Sequence, residues 1–215
     1  LSGGLSNYLA TGFAVNSSGR GLVVNLQDYS SISSTDGGQT WSHSGGVGED
    51  GGAEINPAND SICYVFSNVF RKSSNGCADW TTSTPSMSGG TWDPGIIAFD
   101  PANANHMYVT NKNATAPGYY ESRDAGSNFT LTSWGFTAPY AIAVDRANGQ
   151  HIIAAENTVV HVSFDGGATW STATGLPAQS FSASIGLPMP RSIMSEITRI
   201  VTIFRELRNG VSQDG

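Results

Sequence analysis

Short apolar runs organise this chain, each four or five residues long and bounded by Gly, Asn, Asp or Pro. Gly12-Phe-Ala-Val15, Gly95-Ile-Ile-Ala-Phe99 and Ala141-Ile-Ala-Val144 form one set. Gly21-Leu-Val-Val24, Ile62-Cys-Tyr-Val-Phe66, His106-Met-Tyr-Val-Thr110 and Gln150-His-Ile-Ile-Ala154 form a second. Length, β-branched content and turn residues on both sides predict strands. The turn joining the two sets repeats as well: Ile55-Asn-Pro-Ala-Asn59, Phe99-Asp-Pro-Ala-Asn103 and Val144-Asp-Arg-Ala-Asn148, with Val15-Asn-Ser-Ser18 as a weaker relative. Asn or Asp before Pro starts a turn, because the side chain bonds the backbone two residues on and Pro fixes φ.

A second marker runs in phase with these turns. Ser-x-Asp-x-Gly-x-x-aromatic occurs at Ser34–Trp41, Ser122–Phe129 and Ser163–Trp170, with a worn copy at Ser73-Ser-Asn75-Gly-Cys77-Ala-Asp-Trp80. Repetition at about 40 to 50 residues in a β-rich chain predicts propeller blades of four antiparallel strands, A to D. The expected blades cover about 8–45, 51–85, 92–133 and 138–175 within an all-β region spanning 1–190. The box itself predicts a folding device. Its Asp accepts backbone N–H bonds in the C–D turn, its Gly takes a φ that other residues resist, and its aromatic packs between strands.

The end of the chain departs from this pattern. Ile193, Ile197, Ile200, Val201, Phe204 and Leu207 fall at helical spacing, with Ser192 as a possible N-cap and Asn209-Gly210 as a stop. Repeat phase instead places strand B at 199–204 and strand C at 209–212, so 191–215 reads as either a helix or a degenerate fifth blade. Ser212-Gln-Asp214-Gly215 resembles the first half of another box. A ring removes its free sheet edges only on closure. The expectation is therefore a propeller completed by further blades of a longer protein or by another copy of the chain.

Propeller topology sorts the loops into two faces. A–B and C–D turns share one; B–C loops and D–A connections share the other, where ligands enter. The entry face is expected to carry Gln27-Asp28-Tyr29, Gly48-Glu-Asp50-Gly-Gly52, Thr91-Trp92-Asp93-Pro94, Tyr119-Tyr120 and Trp134-Gly-Phe136 with Tyr140. Carboxylates beside aromatics suit a sugar site, since aromatic faces stack on sugar C–H groups and paired acids cleave glycosidic bonds. Asp28 and Asp50 are the candidate catalytic residues; Tyr29, Trp92, Asp93, Trp134 and Tyr140 are the candidate substrate contacts. Bland alternatives stand beside them: Asp50 and Asp93 as turn formers, Trp92 and Trp134 as caps on blade interfaces. Asp28 has no turn Gly or Pro beside it.

Composition narrows the classes further. A formal net charge of -7 argues against nucleic-acid or anionic-membrane partners, and no apolar run is long enough for a transmembrane helix. Four scattered histidines, His43, His106, His151 and His161, show no metal-ligand spacing, and nucleophile elbows and phosphate-binding loops are absent, so no cofactor is expected. The chain begins at Leu1, which suggests a processed or trimmed terminus. Cys63 and Cys77 suit a disulfide in an oxidising compartment, with two unpaired thiols as the alternative. Asn-x-Ser/Thr sequons begin at Asn16, Asn59, Asn113 and Asn128, and in a chain this rich in Asn, Ser and Thr their number alone decides nothing.

Residues 8–175 resemble the Asp-box (BNR-repeat) propeller superfamily, which includes the xyloglucan-degrading glycoside hydrolases of family 74, sialidases and sortilin-type receptors. Leu22-Val-Val-Asn-Leu-Gln-Asp28-Tyr followed by Ser34–Trp41 looks like the strand-exit loop and box of the family-74-like branch. Gly48-Glu-Asp50-Gly-Gly looks like that branch's lead into the next blade. The resemblance implies Asp28 as general acid, with Asp50 a weaker partner and a second catalytic Asp in another propeller domain. Sialidases match less well, as an arginine triad and a Phe-Arg-Ile-Pro motif are not seen. The expectation is part of a secreted glycoside hydrolase acting on a plant-type β-glucan such as xyloglucan, with a polysaccharide or oligosaccharide partner. The alternative is a non-catalytic propeller module that binds glycans or proteins.

Overall fold

The computed structural model describes residues 10–27, 29–45, 52–66, 70–83, 86–87, 94–113, 115–156 and 159–174. The expectations for 191–215, the half box included, lie outside the described residues. Four antiparallel sheets follow one another along the chain. The first holds β1 (Ala10–Val15), β2 (Leu22–Leu26), β3 (Ser30–Ser34) and β4 (Ser42–Gly45). The second holds β5 (Gly52–Ile55), β6 (Cys63–Phe66), β7 (Phe70–Ser73) and β8 (Thr81–Ser83). Between the second and third comes β9 (Ser86–Met87); the third holds β10 (Pro94–Phe99), β11 (Met107–Asn111), β12 (Gly118–Ser122) and β13 (Asn128–Leu131). The fourth holds β14 (Pro139–Asp145), β15 (Asn148–Glu156), β16 (Val159–Ser163) and β17 (Ser171–Thr172). No residue pattern marks β9, which pairs in parallel with β13 and ties the connection between blades onto the outer edge of the third sheet.

The repeated turns form as their residues dictate. Asn56 Oδ1 accepts from Ala58 N at 2.9 Å, Asp100 Oδ1 from Ala102 N at 2.9 Å and Asp145 Oδ1 from Ala147 N at 2.8 Å. In the box the serine is the hub, a role the sequence reading did not give it. Ser122 Oγ donates to Asp124 Oδ1 at 2.8 Å and accepts from the buried Gly126 N–H at 2.9 Å. Asp124 Oδ1 accepts from the backbone N–H of Ser127 and Asn128, and Oδ2 from Asn128 Nδ2. Ser34 and Ser163 repeat the arrangement around Asp36 and Asp165. The bond from the Thr169 hydroxyl, with others from its backbone N–H and Ser163, lowers the Asp165 carboxyl to about 2. In the worn copy Asn75 Oδ1 takes the carboxylate's place, and its Nδ2 donates to Asp79 at 2.8 Å.

Because Ser122 is 1% exposed, Ser122→Ala leaves the Gly126 N–H buried without its acceptor. The expected loss is about 2 kcal/mol, read as a lower urea midpoint at unchanged m-value. An unchanged midpoint would remove the serine from the centre of the box.

The second and third sheets are covered on both sides by their neighbours, so alternate residues of one strand enter different cores. Ala14 and Val23 of the first sheet meet Ala53, Ile55, Cys63, Val65 and Cys77 of the second, with Trp80 packed against them. Tyr64, Phe66 and Phe70 meet Ile97, Met107, Val109 and Phe129. Ala98, Tyr108 and Tyr119 meet Ile142, Ile152 and Ala154, beside Trp170. In every case the box aromatic packs back against the preceding blade; the Trp80 indole N–H lies 3.3 Å from Ser33 Oγ. The matching positions of the first sheet are open: Phe13 is 61% exposed, Val15 52% and Trp41 38%, against 5% for Ile97 and 2% for Phe129.

Candidate functional site

The entry face is built from strand exits and from the connections between sheets. Strand β11 ends in Asn111, whose buried amide donates to Ala116 O at 3.0 Å and shapes the loop to β12. Lys112 then crosses the inner strand: Thr110 Oγ1 lies 2.6 Å and Lys112 Cε 2.9 Å from where a Cβ on Gly95 would stand, so a larger residue there would have to displace both side chains. Lys112, Pro117, Thr137, Ala138, Pro139 and Tyr140 line an open depression of about 310 Å³ between the third and fourth sheets.

Glu156, the last residue of β15, fixes the connection forming that depression. Its Oε1 accepts from Thr137 N at 2.8 Å and Ala138 N at 2.9 Å, and its Oε2 pairs with His161 Nε2 at 3.2 Å. The His161 ring stacks on Phe136 at 4.0 Å between centroids. Neither Glu156 nor Lys112 figured among the sequence candidates, although both stand at strand-B exits, the position that drew attention to Asp28.

The sequence candidates separate. Asp28, Asp50, Trp92 and Asp93 lie outside the described residues. Tyr140 lines the depression. Trp134 does not line it; its ring packs between sheets against Tyr108, Tyr119, Phe136 and Trp170. Those ring contacts are the ones the interface-capping alternative calls for. Tyr119 and Tyr120 are also corrected. They lie within β12, not before it, and are buried, with Tyr119 Oη donating to Ala155 O at 2.5 Å and Tyr120 Oη to Ala116 O at 3.1 Å. Tyr29 is exposed in the β2–β3 turn, its hydroxyl 3.0 Å from His43 Nε2.

Two ionisable groupings lie elsewhere. Burial pushes the Glu54 carboxyl, on inner strand β5, up to about 7, partly opposed by the Arg146 guanidinium. On the box side of the third sheet, His106 Nδ1 lies 3.0 Å from Asp100 Oδ2 and Nε2 lies 2.7 Å from Glu121 Oε1, which Arg123 also reaches at 2.6 Å. The bond to Glu121 raises the His106 pKa, burial opposes it, and Asp100 adds to the rise. Burial favours protonated Asp100, but bonds from His106 and Ala102 outweigh it and hold that carboxyl low; the His106 bond likewise lowers Glu121.

Stability from charged His106 is fully present below its ordinary value of 6.5 and is lost as pH rises through the elevated one. The carboxylate contributions act oppositely: present above ordinary carboxylate values, lost as pH falls through their lowered ones. The thermal midpoint is expected to fall from about pH 6 towards pH 9, with a flatter slope in His106→Gln. An identical slope in that variant would dismiss the cluster as the source.

Among the described residues no group of three His, Cys, Asp or Glu side chains is arranged to hold a metal ion, and no helix is long and apolar enough to cross a membrane. No family model and no curated protein matches the chain. Solved structures do. An ancestral GH74 enzyme superposes with TM-score 0.58 at 19% identity over 75% of this chain and 23% of its own. The GH74 xyloglucanase from Xanthomonas campestris gives 0.59 at 16% identity, over 76% and 29%. YCF48 from Cyanidioschyzon merolae gives 0.57 at 11% identity, over 81% and 59%. The fold is that of a β-propeller. At these identities the likeness concerns the fold, and this propeller chain spans less than a third of either GH74 structure and about three-fifths of YCF48.

Proposed function

We propose that this chain is the Asp28-bearing part of a secreted glycoside hydrolase that acts on a β-glucan of the xyloglucan type. The observation that carries this reading is the β2–β3 turn. It is a strand B-to-C connection, the class expected on the ligand-entry face; it carries the exposed ring of Tyr29, its hydroxyl 3.0 Å from His43 Nε2, and Asp28 precedes Tyr29 in sequence. In this reading Asp28 protonates the leaving oxygen, Tyr29 and Tyr140 offer ring faces to sugar C–H groups, and a second carboxylate, for which Asp50 is the candidate in this chain, completes the chemistry.

A second reading is a propeller that binds glycans or proteins without cleaving them. It is favoured by Glu156, the one carboxylate described beside the depression, whose two oxygens are already engaged by Thr137, Ala138 and His161.

The test has two readouts on the same protein: reducing ends released from soluble xyloglucan, and xyloglucan-oligosaccharide binding followed by titration. Release is expected, and Tyr140→Ala is expected to weaken binding about three- to tenfold, the size of one aromatic contact. Binding without release would leave the second reading standing. Neither binding nor release would sink both.

A further inference from the structure

The four sequons are alike in sequence, but the fold divides them into two kinds. The carboxamide of Asn113, at the exit of β11, is held by its oxygen: Oδ1 accepts from Thr115 N at 2.9 Å and from Thr115 Oγ1 at 2.6 Å. Asn59 is exposed in the turn between β5 and β6, with Oδ1 accepting from Ser61 N at 3.0 Å. Among the described residues Nδ2 of either side chain donates no hydrogen bond, so a substituent there disturbs no contact of the fold.

Asn16 and Asn128 are built the other way round. Asn16 Nδ2 sits 2.7 Å from where a Cβ on Gly21 would stand, packed against backbone, while Oδ1 is held by Ser18 Oγ and Gly21 N. Asn128 Nδ2 donates to Asp124 Oδ2 at 2.7 Å inside the box, and its backbone pairs with Ser86 of β9. A sugar at either nitrogen would have to occupy space that the turn or the box already fills.

We propose that Asn113 and Asn59 are acceptors of N-linked oligosaccharide in the folded protein, and that Asn16 and Asn128 are not. The donor class is an oligosaccharide on a lipid diphosphate, supplied in the secretory compartment. A bond forms between Nδ2 and the anomeric carbon of the first sugar, and the bond from that carbon to the diphosphate oxygen breaks. The lipid diphosphate leaves with the electron pair, and one amide proton passes to solvent. The inference rests on passage through an oxidising compartment, which the Cys63–Cys77 disulfide supports, and not on hydrolase activity. The Asn113 glycan would stand beside Lys112 on the rim of the entry face; that of Asn59 would stand on the opposite face.

The chain, secreted from a yeast host, is to be digested with a peptide N-glycosidase, which converts each formerly occupied Asn to Asp, and mapped by peptide mass. Conversion at 113 and 59, with 16 and 128 unconverted, is the expected map. Glycan on Asn128 or Asn16 of the folded, secreted protein, or an unoccupied Asn113, overturns the proposal; an unoccupied Asn59 overturns its assignment. Should secretion fail, translation with microsomes counts transfers before folding. There Asn113→Gln and Thr115→Ala must each remove one glycan increment, and an unchanged count rejects Asn113 as an acceptor.

Discussion

Asp28→Asn is expected to lower the release of reducing ends from xyloglucan by at least about 100-fold, the usual contribution of a positioned proton donor. Asn keeps the size of the side chain and can still accept a hydrogen bond, but it has no proton to give to a leaving oxygen. The turn should survive the change, because its anchors lie in the flanking strands. Asn25, fully buried in β2, accepts from Ser31 Oγ at 2.7 Å and donates to Thr11 Oγ1 at 2.8 Å, while Leu26 pairs with Ser30 at the last rung. The unfolding midpoint of Asp28→Asn should therefore match the parent within about 0.5 kcal/mol. Tyr29→Phe is the companion variant: it removes the hydroxyl next to His43 but keeps the ring, so a smaller loss is expected. Release that persists in Asp28→Asn, or no release by the parent, would end the assignment of Asp28 as acid.

The strands and turns were legible because each follows from local chemistry: β-branched runs for β2, β6, β11 and β15, and Asx bonding at Asn56, Asp100 and Asp145. Errors arose where packing overrides local pattern. The sequence reading places Tyr119 and Tyr120 ahead of strand C, in a loop on the entry face, whereas β12 takes them up from Gly118 onward. In a blade covered on both sides each tyrosine has its own core: Tyr120 meets the second sheet, Tyr119 the fourth. Asn25 and Ser31 form a polar core pair that hydrophobic pattern cannot reveal. For Trp134 the capping role is one of two readings left open by the sequence, and Glu156 is not singled out there at all. Their partners are contributed by neighbouring blades or by another part of the same blade, so the depression at Tyr140 follows from how blades dock and not from the content of any one repeat.

Removing the Cys63–Cys77 bond is expected to produce the largest loss of stability, and the worn box offers a way to divide that loss into two parts. The bond closes a loop with sequence separation 14 and joins two fully buried residues in the core between the first and second blades. Freeing such a loop costs about 3 kcal/mol through the entropy regained by the unfolded chain. Cys77 also has φ +69, where the other boxes place Gly38, Gly126 and Gly167 at +87, +81 and +88. An L-residue there pays roughly 1 to 2 kcal/mol that glycine avoids. Cys63→Ala/Cys77→Ala should therefore lose about 3 kcal/mol, read from the urea midpoint, and Cys63→Ala/Cys77→Gly should recover about 1 of these. Both variants should be indifferent to reductant, while the parent should lose stability on reduction. If the glycine variant is no better than the alanine variant, the left-handed position carries no cost and the cross-link explains the whole effect. If reduction leaves the parent's midpoint in place, the bond adds nothing to packing that already buries both sulfurs.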